Sequence, residues 1–578
     1  MDVLNRIIRI DMLRSEIIEE AVPEEYRFVG GRGLTSSVLL KEVDPTCDPL
    51  GPANKLIVAP GLFGGTIIPN CGRLSIGAKS PLTRGIKEAN VGGVTGQMLA
   101  QHGIKAIIIE NRSDSGAYYL EISDEGIFLS DFRGDPFMGN YEMSSMFHQR
   151  YTNEIAILSV GPAGMRKMLS AGIAGSDLER RPTRFAARGG LGAVMGSKGL
   201  KAIVIVPSKK SKPISTETLK KVAKELSKSI IENPVVGLLH GFGTPGVIDL
   251  ACQIGSFPTH SFSKGSFEKF ANINGEKIVE LQKQRQGKTG HGCMPGCVVR
   301  CSNIFNSQDG GHVTSALEYE TLCLLGSNLE IDDIDAIAQF DHACDDNGVD
   351  TIEVGGTMGV AMDEGKIKYG DADTVLKLIE EIGKGTEAGV LYGNGVVHLA
   401  KKIGAKRIPA TMGQGHPAHD PRALNGVGVT YSTSPMGADH TAGLVFNPDK
   451  ENAVELSKEH QIFAMLCDTF GFCIFISQTV EDLVKVYNAF NASEMNAEEM
   501  RRWAIKLLRI EAEFNAKAGV PSVEERSSRI FREEKLPGTG YIFDTDFEKM
   551  EKIFEVYSDF EESTVLKDEN DEHRKAAN

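Results

Sequence analysis

Four cysteines have the residue type and the spacing to hold an inorganic cofactor. Cys293, Cys297 and Cys301 recur with three residues between neighbours, in a glycine- and proline-containing segment of a chain with only ten cysteines. Cys473 follows much later in the sequence. A backbone that curls around glycine and proline can aim three thiolates at one point, and a distant fourth thiolate can complete the set. Four converging thiolates hold either a zinc ion or an iron–sulfur cluster.

His291 keeps a second interpretation of this segment open. It lies next to the three clustered cysteines, so it could replace Cys473 as the fourth ligand of a structural zinc ion. The remaining six cysteines stand alone in their segments, where a cysteine most often serves as a small buried hydrophobic residue. The residue pattern by itself therefore predicts a cysteine-bound metal centre and leaves its metal undecided.

Two glutamates flank a tyrosine shortly after these cysteines, in the order Glu318, Tyr319, Glu320. A buried glutamate can act as a general base, and we expect a low dielectric to raise its pKa towards a useful value. Neither on a strand nor on a helix can the two carboxylates share one face perfectly. One of the two is therefore expected to be structural.

Four glycine-rich strips occur in the first 200 residues, and three of them carry an arginine beside the glycines. Exposed amides next to a guanidinium form a cradle for phosphate or another polyanion. The last strip has its lysine and serine in the wrong order for a P-loop, and it lacks the strand and the acidic residue that a dinucleotide-binding unit requires. Four strips in one domain predict an extended, phosphorylated ligand. They are residues 30–34, 72–77, 90–96 and 188–198.

Composition and charge are those of a globular protein without a basic face for nucleic acid. The 578 residues are 41% hydrophobic and 24% charged, with a formal net charge of −15. No uninterrupted apolar run approaches the roughly 20 residues of a membrane span, and residues 1–14 lack the features of a signal peptide. We therefore expect a cytoplasmic protein with no membrane span and no nucleic-acid partner. In that compartment cysteines are more often metal ligands than disulfides.

The period of the hydrophobic residues changes near residue 207, and this change predicts the fold class. Short β-branched runs before it, separated by glycine, proline and asparagine, are typical of strands. Apolar residues after it repeat at helical spacing, for example from Leu219 to Ile230 behind Ser215 as a helix cap. We find no internal repeat, and the predicted fold is α+β, a β-rich N-terminal domain followed by two mainly α-helical domains. The predicted strands are residues 55–58, 106–109, 154–158 and 202–206.

Two boundaries separate the predicted domains. A lysine- and serine-rich joint with a proline at each end, Pro207 and Pro213, closes the β-rich domain. A second boundary falls near residue 410, so that Cys473 lies in a different helical domain from the other three cysteines. The last residues are charged and lack apolar periodicity, which is typical of a disordered tail. The predicted domains are residues 1–207, 208–410 and 411–560, followed by a tail at 561–578.

Taken together, the glycine strips and the cysteines resemble the aldehyde:ferredoxin oxidoreductase family of tungsten enzymes. Residues 187–198, with the sequence ARGGLGAVMGSK, carry the most recognisable part of the resemblance. Residues 255–262 and 431–435 also match, and the resemblance extends from residue 30 to about residue 538. It implies a β-rich base domain that carries one metal bound by two pterins, and two helical domains that close over them.

The resemblance implies a tungsten or molybdenum bis-pterin cofactor, held by two Asp-x-x-Gly motifs that are related by pseudo-symmetry in the family. A carboxylate accepts hydrogen bonds from pterin N–H groups, and glycine lets backbone amides come close. Arg73 and Arg188 would reach the pterin phosphates, and Asn90 and Gly92 would lie near a Mg²⁺ ion that bridges them. The residues implied to bind the cofactor are Arg73, Asn90, Gly92, Arg188, Gly189, Asp345, Gly348, Val349, Asp350, Asp468 and Phe472.

The resemblance also implies that Cys293, Cys297, Cys301 and Cys473 hold one 4Fe–4S cluster. The family has two residues between its first two cysteines, whereas this chain has three between Cys293 and Cys297. The loop at Cys293 must therefore follow a different path. Because Cys473 ends the second Asp-x-x-Gly motif, the cluster would lie beside a pterin.

Glu320 and His440 occupy the positions of active-site residues in the family. The distance in sequence to Asp345 favours Glu320 over Glu318 as the base that takes a proton from water or from a hydrated aldehyde. A neutral His440 would donate a hydrogen bond to the substrate carbonyl. Met436 stands where several members have an arginine that contributes to cofactor binding.

The activity implied by the resemblance is the anaerobic oxidation of a small-molecule aldehyde, with water, to a carboxylic acid. Electrons would pass through the cluster to ferredoxin or to a small iron–sulfur subunit, and a homodimer is in keeping with the family. One alternative is a related tungsten enzyme that reduces another substrate, such as an aromatic acyl-CoA. The other alternative is a non-catalytic scaffold that binds zinc or an iron–sulfur cluster.

Overall fold

The computed structural model describes residues 4–554 of the chain, so the predicted tail at 561–578 lies outside the described residues. The first part of the chain forms two six-stranded sheets. The strands of the first sheet are β1 (Arg6–Asp11), β2 (Glu16–Ala21), β3 (Leu56–Pro60), β4 (Leu74–Lys79), β5 (Ile86–Val91) and β6 (Ile104–Glu110). Those of the second sheet are β7 (Tyr118–Ser123), β8 (Gly126–Asp131), β9 (Ala156–Ser159), β10 (Ile173–Gly175), β11 (Arg184–Ala186) and β12 (Leu200–Ile205).

The two sheets have the same topology, and this finding corrects the sequence-based conclusion that the chain has no internal repeat. The strand orders are β2-β1-β6-β3-β4-β5 and β8-β7-β12-β9-β10-β11. The single parallel pair of each sheet also recurs, β1 with β6 and β7 with β12. A strand requires an apolar or alternating pattern rather than particular residues. The topology can therefore repeat where the sequence shows no matching segments.

All four strands predicted in this domain are present, as β3, β6, β9 and β12. Every residue of β3, β9 and β12 is buried. Strands that are covered on both faces carry continuous apolar runs instead of an alternating pattern. These runs were therefore the strongest strand signal in the sequence.

Short helices connect the strands, and they too occupy equivalent places in the two halves. Helix α2 joins β5 to β6, and α5 joins β11 to β12; a glycine pair precedes each of these helices. Positive φ angles at Gly93 (87°) and at Gly189 (82°) explain why glycine is required there. The helices of this domain are α1 (Gly31–Glu42), α2 (Thr95–Gln101), α3 (Asn140–Arg150), α4 (Pro162–Met165) and α5 (Leu191–Ser197).

Beyond residue 210 the chain is mainly helical, which confirms the predicted fold class. The cap of α6 is Thr216 instead of the predicted Ser215, since the Thr216 hydroxyl accepts a hydrogen bond from Leu219 N at 3.1 Å. The helices are α6 (Glu217–Glu232), α7 (Pro234–Phe242), α8 (Ile248–Ile254), α9 (Gly275–Arg285), α10 (Tyr319–Leu324), α11 (Ile334–Asn347), α12 (Thr351–Asp363), α13 (Ala372–Lys384), α14 (Glu387–Gly393), α15 (Val396–Ile403), α16 (Asn425–Thr433), α17 (Ala453–Phe470), α18 (Val480–Asn491), α19 (Ala497–Lys517), α20 (Val523–Arg526), α21 (Arg529–Glu533) and α22 (Phe547–Glu551).

Two small sheets complete the helical part. The three-stranded sheet adjoins the clustered cysteines, because β13 ends just before them and β14 begins just after them. The strands are β13 (Lys288–His291), β14 (Ser302–Asn306), β15 (His312–Ser315), β16 (Ala410–Thr411) and β17 (Gln414–Gly415). The domain limits at residues 207 and 410 stay predictions, although the change from strand to helix falls between β12 and α6.

Each half of the β-rich domain packs against a different group of helices. One large apolar core joins the first sheet to α17 and α19, for example where the rings of Phe63 and Phe470 lie 5.0 Å apart. A second core joins the loops of the second sheet to α11 and α12, through residues such as Ala171 and Val349. In residues 4–554 no single helix is long and apolar enough to cross a membrane. Residues 234–242 and 244–254 reach that length and apolarity only when they are counted together, and the two segments are bent by 116° relative to each other.

Candidate cofactor and active site

The two Asp-x-x-Gly motifs form matching turns at the ends of two long helices. We call residues 345–348 the first Asp-Gly turn and residues 468–471 the second. Helix α11 ends at the first turn and α17 at the second, and each glycine adopts the left-handed conformation, with φ of 73° at Gly348 and 87° at Gly471. Glycine is the residue that ends a helix in this way without steric cost. Each aspartate thus lies in the last turn of its helix.

Both turns dock on the β-rich domain through a glycine that follows an equivalent strand. Gly61 follows β3, and a Cβ atom there would lie 2.1 Å from Gly471 Cα. Gly161 lies just beyond β9, and a Cβ atom there would lie 2.3 Å from the carbonyl oxygen of Asn347. Any side chain at either position would force the helix end away, so the close approach depends on glycine.

Backbone hydrogen bonds fix both turns in equivalent ways. Arg73 N donates to Gly471 O, and Gly172 N donates to Gly348 O, each at 3.0 Å. Arg73 directly precedes β4, and Gly172 directly precedes β10. The pseudo-symmetry of the two turns is therefore built on the repeated topology of the two sheets.

The carboxylate of the second turn lies in a buried network of charges. Asp468 lies 3.4 Å from Arg32, whose guanidinium also makes two bonds to Glu511, at 2.9 and 2.8 Å. Arg32 and Glu511 are almost fully buried, with side chains 1% and 0% exposed. Burial and the charge of Glu88 raise the pKa of Asp468, against the opposing effect of Arg32.

The carboxylate of the first turn lacks such a network. Asp345 Oδ2 is buried and has no hydrogen-bond partner among the described residues. Burial, followed by the charge of Asp341, raises the pKa of Asp345 well above its ordinary value. Arg184 acts on it only through its charge, because the guanidinium donates to Ser302 Oγ at 2.6 Å and its Nε has no partner in the described chain.

The four predicted cluster ligands come together although Cys473 is distant in sequence. A hydrogen bond with the Cys293 thiol lowers the pKa of Cys297 to about 5. Burial raises the pKa of Cys301, and the nearby Cys473 and Cys297 add to this rise. Burial also raises the pKa of Cys473, again with a contribution from Cys297. Cys297 and the segment of Cys473 also share a contact residue, because Asn70 binds both Cys297 Sγ and Cys473 N.

Asn70 connects the cysteine loop to the segment of Cys473, and the sequence gave no sign of this role. Its backbone oxygen accepts from Cys473 N at 3.0 Å, and its Nδ2 donates to Cys297 Sγ at 3.5 Å. Its Oδ1 accepts from Val298 N at 2.9 Å. The residue is fully buried and has a positive φ of 58°, which asparagine tolerates better than most residues. A positive φ depends on the surrounding fold, so one asparagine after a proline was too weak a signal.

One observation counts against the zinc interpretation, and the contacts of His291 do not. His291 Nε2 lies 2.8 Å from Glu179 and Nδ1 is buried without a partner in the described chain, an arrangement that metal-binding histidines share. Among residues 4–554, no three histidine, cysteine, aspartate or glutamate side chains converge closely enough for one metal ion. A zinc ion requires four ligands at bonding distance from one centre, whereas a cluster binds each thiolate to a different iron.

Arg73, Asn90 and Gly92 lie together beside the cysteines. The Arg73 guanidinium donates to Asn90 Oδ1 through Nε. A Cβ atom on Gly92 would lie 3.6 Å from Arg73 Nη1 and 3.7 Å from Cys293 Sγ. Burial opposes the charge of Arg73, but Cys473 and Cys293 nearby raise its pKa. Arg73 therefore lies between the cysteines and the strip predicted to hold phosphates.

Arg188 and Asp350 form a second buried pair, 3.0 Å apart. The other Arg188 nitrogen donates to the carbonyl oxygens of Gly415 and Ala438, at 2.5 and 2.7 Å, while Nε has no partner in the described chain. Asp350 also caps α12. Gly189 packs against Lys87, since a Cβ atom there would lie 2.4 Å from Lys87 Cγ.

Val349 and Phe472 were also predicted to bind the cofactor, and the structure buries both side chains in apolar cores. Val349 is 2% exposed and Phe472 is fully buried. The Phe472 ring packs edge-on against Phe63 at 5.7 Å. Any contact of these two residues with a ligand would therefore involve the backbone.

Glu320 and His440 meet at one site, together with a residue that the sequence analysis missed. His440 Nε2 lies 3.6 Å and His419 Nε2 lies 3.3 Å from Glu320 Oε1. Ala418 N donates to Glu320 Oε2 at 2.7 Å, and the rings of Tyr319 and His419 stack at 4.9 Å. His419 lies 99 residues beyond Glu320, and a lone histidine in a loop carries no signal of such a contact.

The pKa of Glu320 is lowered, whereas we had predicted that burial would raise it. Burial alone acts in the predicted direction, but His440, His419 and the amide of Ala418 outweigh it and lower the pKa to about 2. Burial lowers the pKa of His440, against the opposing charge of Glu320. Near neutral pH the site therefore contains an ionised carboxylate beside a neutral imidazole.

Glu318 points to a different environment from Glu320. Its carboxylate accepts a hydrogen bond from the Thr244 hydroxyl. Burial raises its pKa, and its charge in turn affects Cys301 of the cysteine group. As expected from the sequence, the two glutamates do not share one face, and Glu320 is the one that lies next to His440.

The unpaired polar atoms of the site fit a large polar ligand such as a bis-pterin. Buried polar atoms in folded proteins are nearly always hydrogen-bonded, so a group of them without partners indicates a missing one. Both donors and acceptors occur among them, as the edge of a pterin and its phosphate require. The buried atoms of residues 4–554 that lack a partner include, in and around this site, Arg184 Nε, Arg188 Nε, His291 Nδ1, Glu320 Oε1, Asp345 Oδ2, Gln414 Oε1, His419 Nδ1 and His440 Nδ1.

Comparisons with known proteins find one family along most of the chain. The family model described as the N-terminal domain of aldehyde ferredoxin oxidoreductase matches residues 7–207, and the model for domains 2 and 3 matches residues 221–562. The tungsten-containing aldehyde ferredoxin oxidoreductase of Pyrococcus furiosus is 31% identical over 567 residues, and that of Thermococcus kodakarensis is 30% identical over 569 residues. In both cases 92% of each chain is covered.

One solved structure shares the fold at lower sequence identity. The active site complex BamBC of benzoyl coenzyme A reductase, with bound 1,5-dienoyl-CoA, has a TM-score of 0.80 and 18% identity. The match covers 95% of this chain and 93% of the other. At this identity the likeness concerns the fold alone.

Proposed function

The chain belongs to the aldehyde ferredoxin oxidoreductase family, and from this premise we propose that it oxidises a small aldehyde to the carboxylic acid. One aldehyde and one water molecule give one carboxylic acid, two protons and two electrons. The proposed acceptor is ferredoxin or a small iron–sulfur protein, which takes one electron at a time. The proposed cofactors are a tungsten or molybdenum bis-pterin, one 4Fe–4S cluster and a Mg²⁺ ion.

The observation that carries this proposal is the junction of three groups of residues around one buried region. The two Asp-Gly turns, the four cysteines and the Glu320–His440 pair interleave along the sequence between residues 293 and 473. Arg73 contacts the second turn and lies near the cysteines, and Arg188 pairs with Asp350 and is affected by the charge of Glu320. A scaffold without catalysis does not require a buried carboxylate beside a histidine. Perturbed titratable groups of this kind are concentrated in active sites.

In the proposed holoenzyme, the residues of the two Asp-Gly turns, with Arg73, Arg184 and Arg188, would hold the pterins. Cys293, Cys297, Cys301 and Cys473 would hold the cluster. When bound, the metal centre would accept an electron pair, which the cluster would then release as single electrons. Asn90 and Gly92 are the residues proposed to lie near Mg²⁺, a cation that prefers oxygen ligands.

Glu320 and its histidines would handle the proton. Glu320 Oε2 is bonded to Ala418 N, whereas Oε1 has no well-aligned hydrogen bond within the described chain. Oε1 is therefore the atom that can accept a hydrogen bond from water, orient it, and take its proton as it adds to the aldehyde. A neutral His440 can donate a hydrogen bond to the substrate oxygen or receive the proton from Glu320.

Elemental analysis of anaerobically purified protein, followed by an aldehyde panel with viologen as acceptor, tests the proposal. We expect tungsten or molybdenum together with iron, and aldehyde-dependent viologen reduction. Protein that is fully loaded but contains neither heavy metal would overturn the redox assignment, and zinc alone would favour a scaffold. The acyl-CoA alternative has no support beyond a likeness of fold.

A further inference from the structure

An exposed apolar patch lies on the helices that lead into the cysteine group. Four of the eleven large hydrophobic side chains that are exposed in the described chain fall between residues 231 and 250. They are Ile231 (60% exposed), Val235 (56%), Leu238 (41%) and Leu250 (48%), and we call them the apolar patch. Exposed hydrophobic side chains that cluster in this way mark interaction surfaces, whereas scattered ones require no explanation.

The exposed face of α7 is smooth as well as apolar. Gly237 and Gly241 lie on this helix, and a Cβ atom at either position would meet no other atom within 4 Å. Leu238 also approaches Gly246, where a Cβ atom would lie 3.7 Å from Leu238 Cδ1, so the patch continues from α7 towards α8. A flat apolar face without a covering element can pack against another protein.

The patch adjoins the residues proposed to hold the cluster. Helix α7 ends at Gly243, where a Cβ atom would lie 2.8 Å from the carbonyl oxygen of Cys301. At the other end of α7, Asn233 Nδ2 donates to Ser477 O at 3.4 Å, and Ser477 follows Cys473 by four residues. Cys297 itself is only partly buried. Both ends of α7 therefore contact segments that carry a predicted cluster ligand.

Lysines border the patch along α6 in a chain whose net charge is −15. Lys221, Lys224 and Lys228 form one exposed stripe along α6 that leads to Ile231. Arg300, between two of the cysteines, is exposed too. Such a local positive field favours a negatively charged partner.

We propose that the apolar patch and its lysine rim are the docking surface for an acidic, ferredoxin-type electron carrier. The inference rests on the proposed function, and it names the face of the molecule where electrons leave. An oxidised carrier would dock with its own cluster towards Cys297, accept one electron and dissociate. Two such encounters would remove the two electrons of each aldehyde, while the two protons pass to solvent. The apolar contact would supply affinity, and the lysines would speed association.

The test is the double variant Val235→Glu/Leu238→Glu, studied as loaded holoenzyme with a purified acidic ferredoxin. We expect the KM for ferredoxin to rise tenfold or more, while viologen reduction and iron and tungsten content stay within twofold of wild type. The matched control is Ile18→Glu/Phe128→Glu, which adds the same charge at two exposed apolar positions on β2 and β8 (48% and 47% exposed). The control should leave the KM for ferredoxin unchanged.

Three results would overturn the proposal. An unchanged KM for ferredoxin in the patch variant would remove this surface from electron transfer. Loss of a dimer in sedimentation, with unaltered ferredoxin kinetics, would assign the patch to a second copy of the chain. Patch-dependent binding to anionic phospholipid vesicles, again with unaltered kinetics, would assign it to a membrane surface. If the wild-type protein reduced no acceptor with any aldehyde, the proposed function would fail. The docking surface could still be tested by measuring the affinity of ferredoxin for the patch variant and for the control variant.

Discussion

The two Asp-Gly turns occupy equivalent places on equivalent sheets, but their carboxylates have opposite surroundings. Asp468 lies beside Arg32, which is bound in turn to Glu511, so the second turn is charge-compensated within the protein. Asp345 has a buried oxygen without a hydrogen-bond partner in the described chain, and the charges of Asp341 and Asp346 raise its pKa while that of Arg184 lowers it. The two turns thus share a backbone geometry but differ in charge compensation. Arg32 balances part of the charge of Asp468, whereas Asp345 has no such ion pair among residues 4–554.

The cysteines sharpen this difference between the halves. Position 473 follows the second turn, and its equivalent after the first turn is Asp350, which pairs with Arg188. Only one half therefore carries a cysteine at this position. In the proposed holoenzyme the repeated topology would supply a symmetric platform, and these differing residues would place the cluster beside the second turn.

The largest expected effect comes from Cys473→Ala. If this cysteine is the fourth cluster ligand, the variant should lose the visible absorption of the cluster and all acceptor reduction. Cys467→Ala is the matched control, since Cys467 is fully buried in the last turns of α17, six residues before Cys473. The control should keep its iron. Equal iron content in both variants would remove Cys473 from the cluster.

The next effect concerns the charge compensation of the second turn. Glu511→Gln leaves Arg32 buried with only Asp468 at 3.4 Å, and breaking a buried ion pair in this way costs about 3–5 kcal/mol. Chemical denaturation should reveal this loss in the free energy of unfolding. Glu513→Gln on the same helix is the control, because its exposed pair with Lys517 contributes about 0–1 kcal/mol. Similar losses in both variants would contradict the proposed role of the network.

Glu320 is a third buried carboxylate, and it lies beside His440 instead of an arginine. Glu320→Gln should retain metal content and slow kcat by about 100-fold, the low end for loss of a general base. The control is Glu318→Gln, which should slow turnover much less. If only the Glu318 variant were slow, the base would be Glu318.

The pH profile gives a separate check of the same site. The pKa of His440 lies below its ordinary 6.5, so wild type should keep its neutral imidazole at pH 7 and lose activity only as the pH falls below 6.5. The charge of Glu320 raises the pKa of His440, so its removal in Glu320→Gln should shift this acid limb to lower pH. A shift to higher pH would contradict the contact between the two residues.

The smallest effect on folding should come from Asp345→Asn. Folding raises the pKa of the Asp345 carboxyl group. The protein therefore loses stability as the pH rises from the pKa of this group in the unfolded chain to its pKa in the folded chain. The cofactor-free variant should therefore be as stable as wild type at pH 8, or more stable. Its pterin and tungsten content should fall, because a hydrogen bond to a charged group contributes about 1.5–3 kcal/mol.

The sequence was informative where a local pattern determines the structure. The buried strands β3, β6, β9 and β12 follow from apolar runs, and the cysteine spacing indicated a metal centre before any contact was known. The equivalent turns at Gly348 and Gly471 were likewise visible as Asp-x-x-Gly motifs. These features depend on residues that are close together in the chain.

Features that depend on distant contacts could not be predicted. The lowered pKa of Glu320 results from His419 and His440, which come from loops about a hundred residues away, and burial alone suggested the opposite sign. The role of Asn70 depends on two cysteine segments that meet only in the folded protein. The repeat of the two sheets was hidden because topology constrains residue type so weakly.

The pair formed by Arg32 and Glu511 has a consequence for biosynthesis. A ribosome completes Arg32 479 residues before Glu511, so the nascent N-terminal domain carries this guanidinium without the carboxylate that binds it through two hydrogen bonds. Because desolvating that cation without its main partner is costly, we expect α1 to reach its final packing only after α19 has been synthesised. The seam around Arg32 would then be among the last parts of the protein to close.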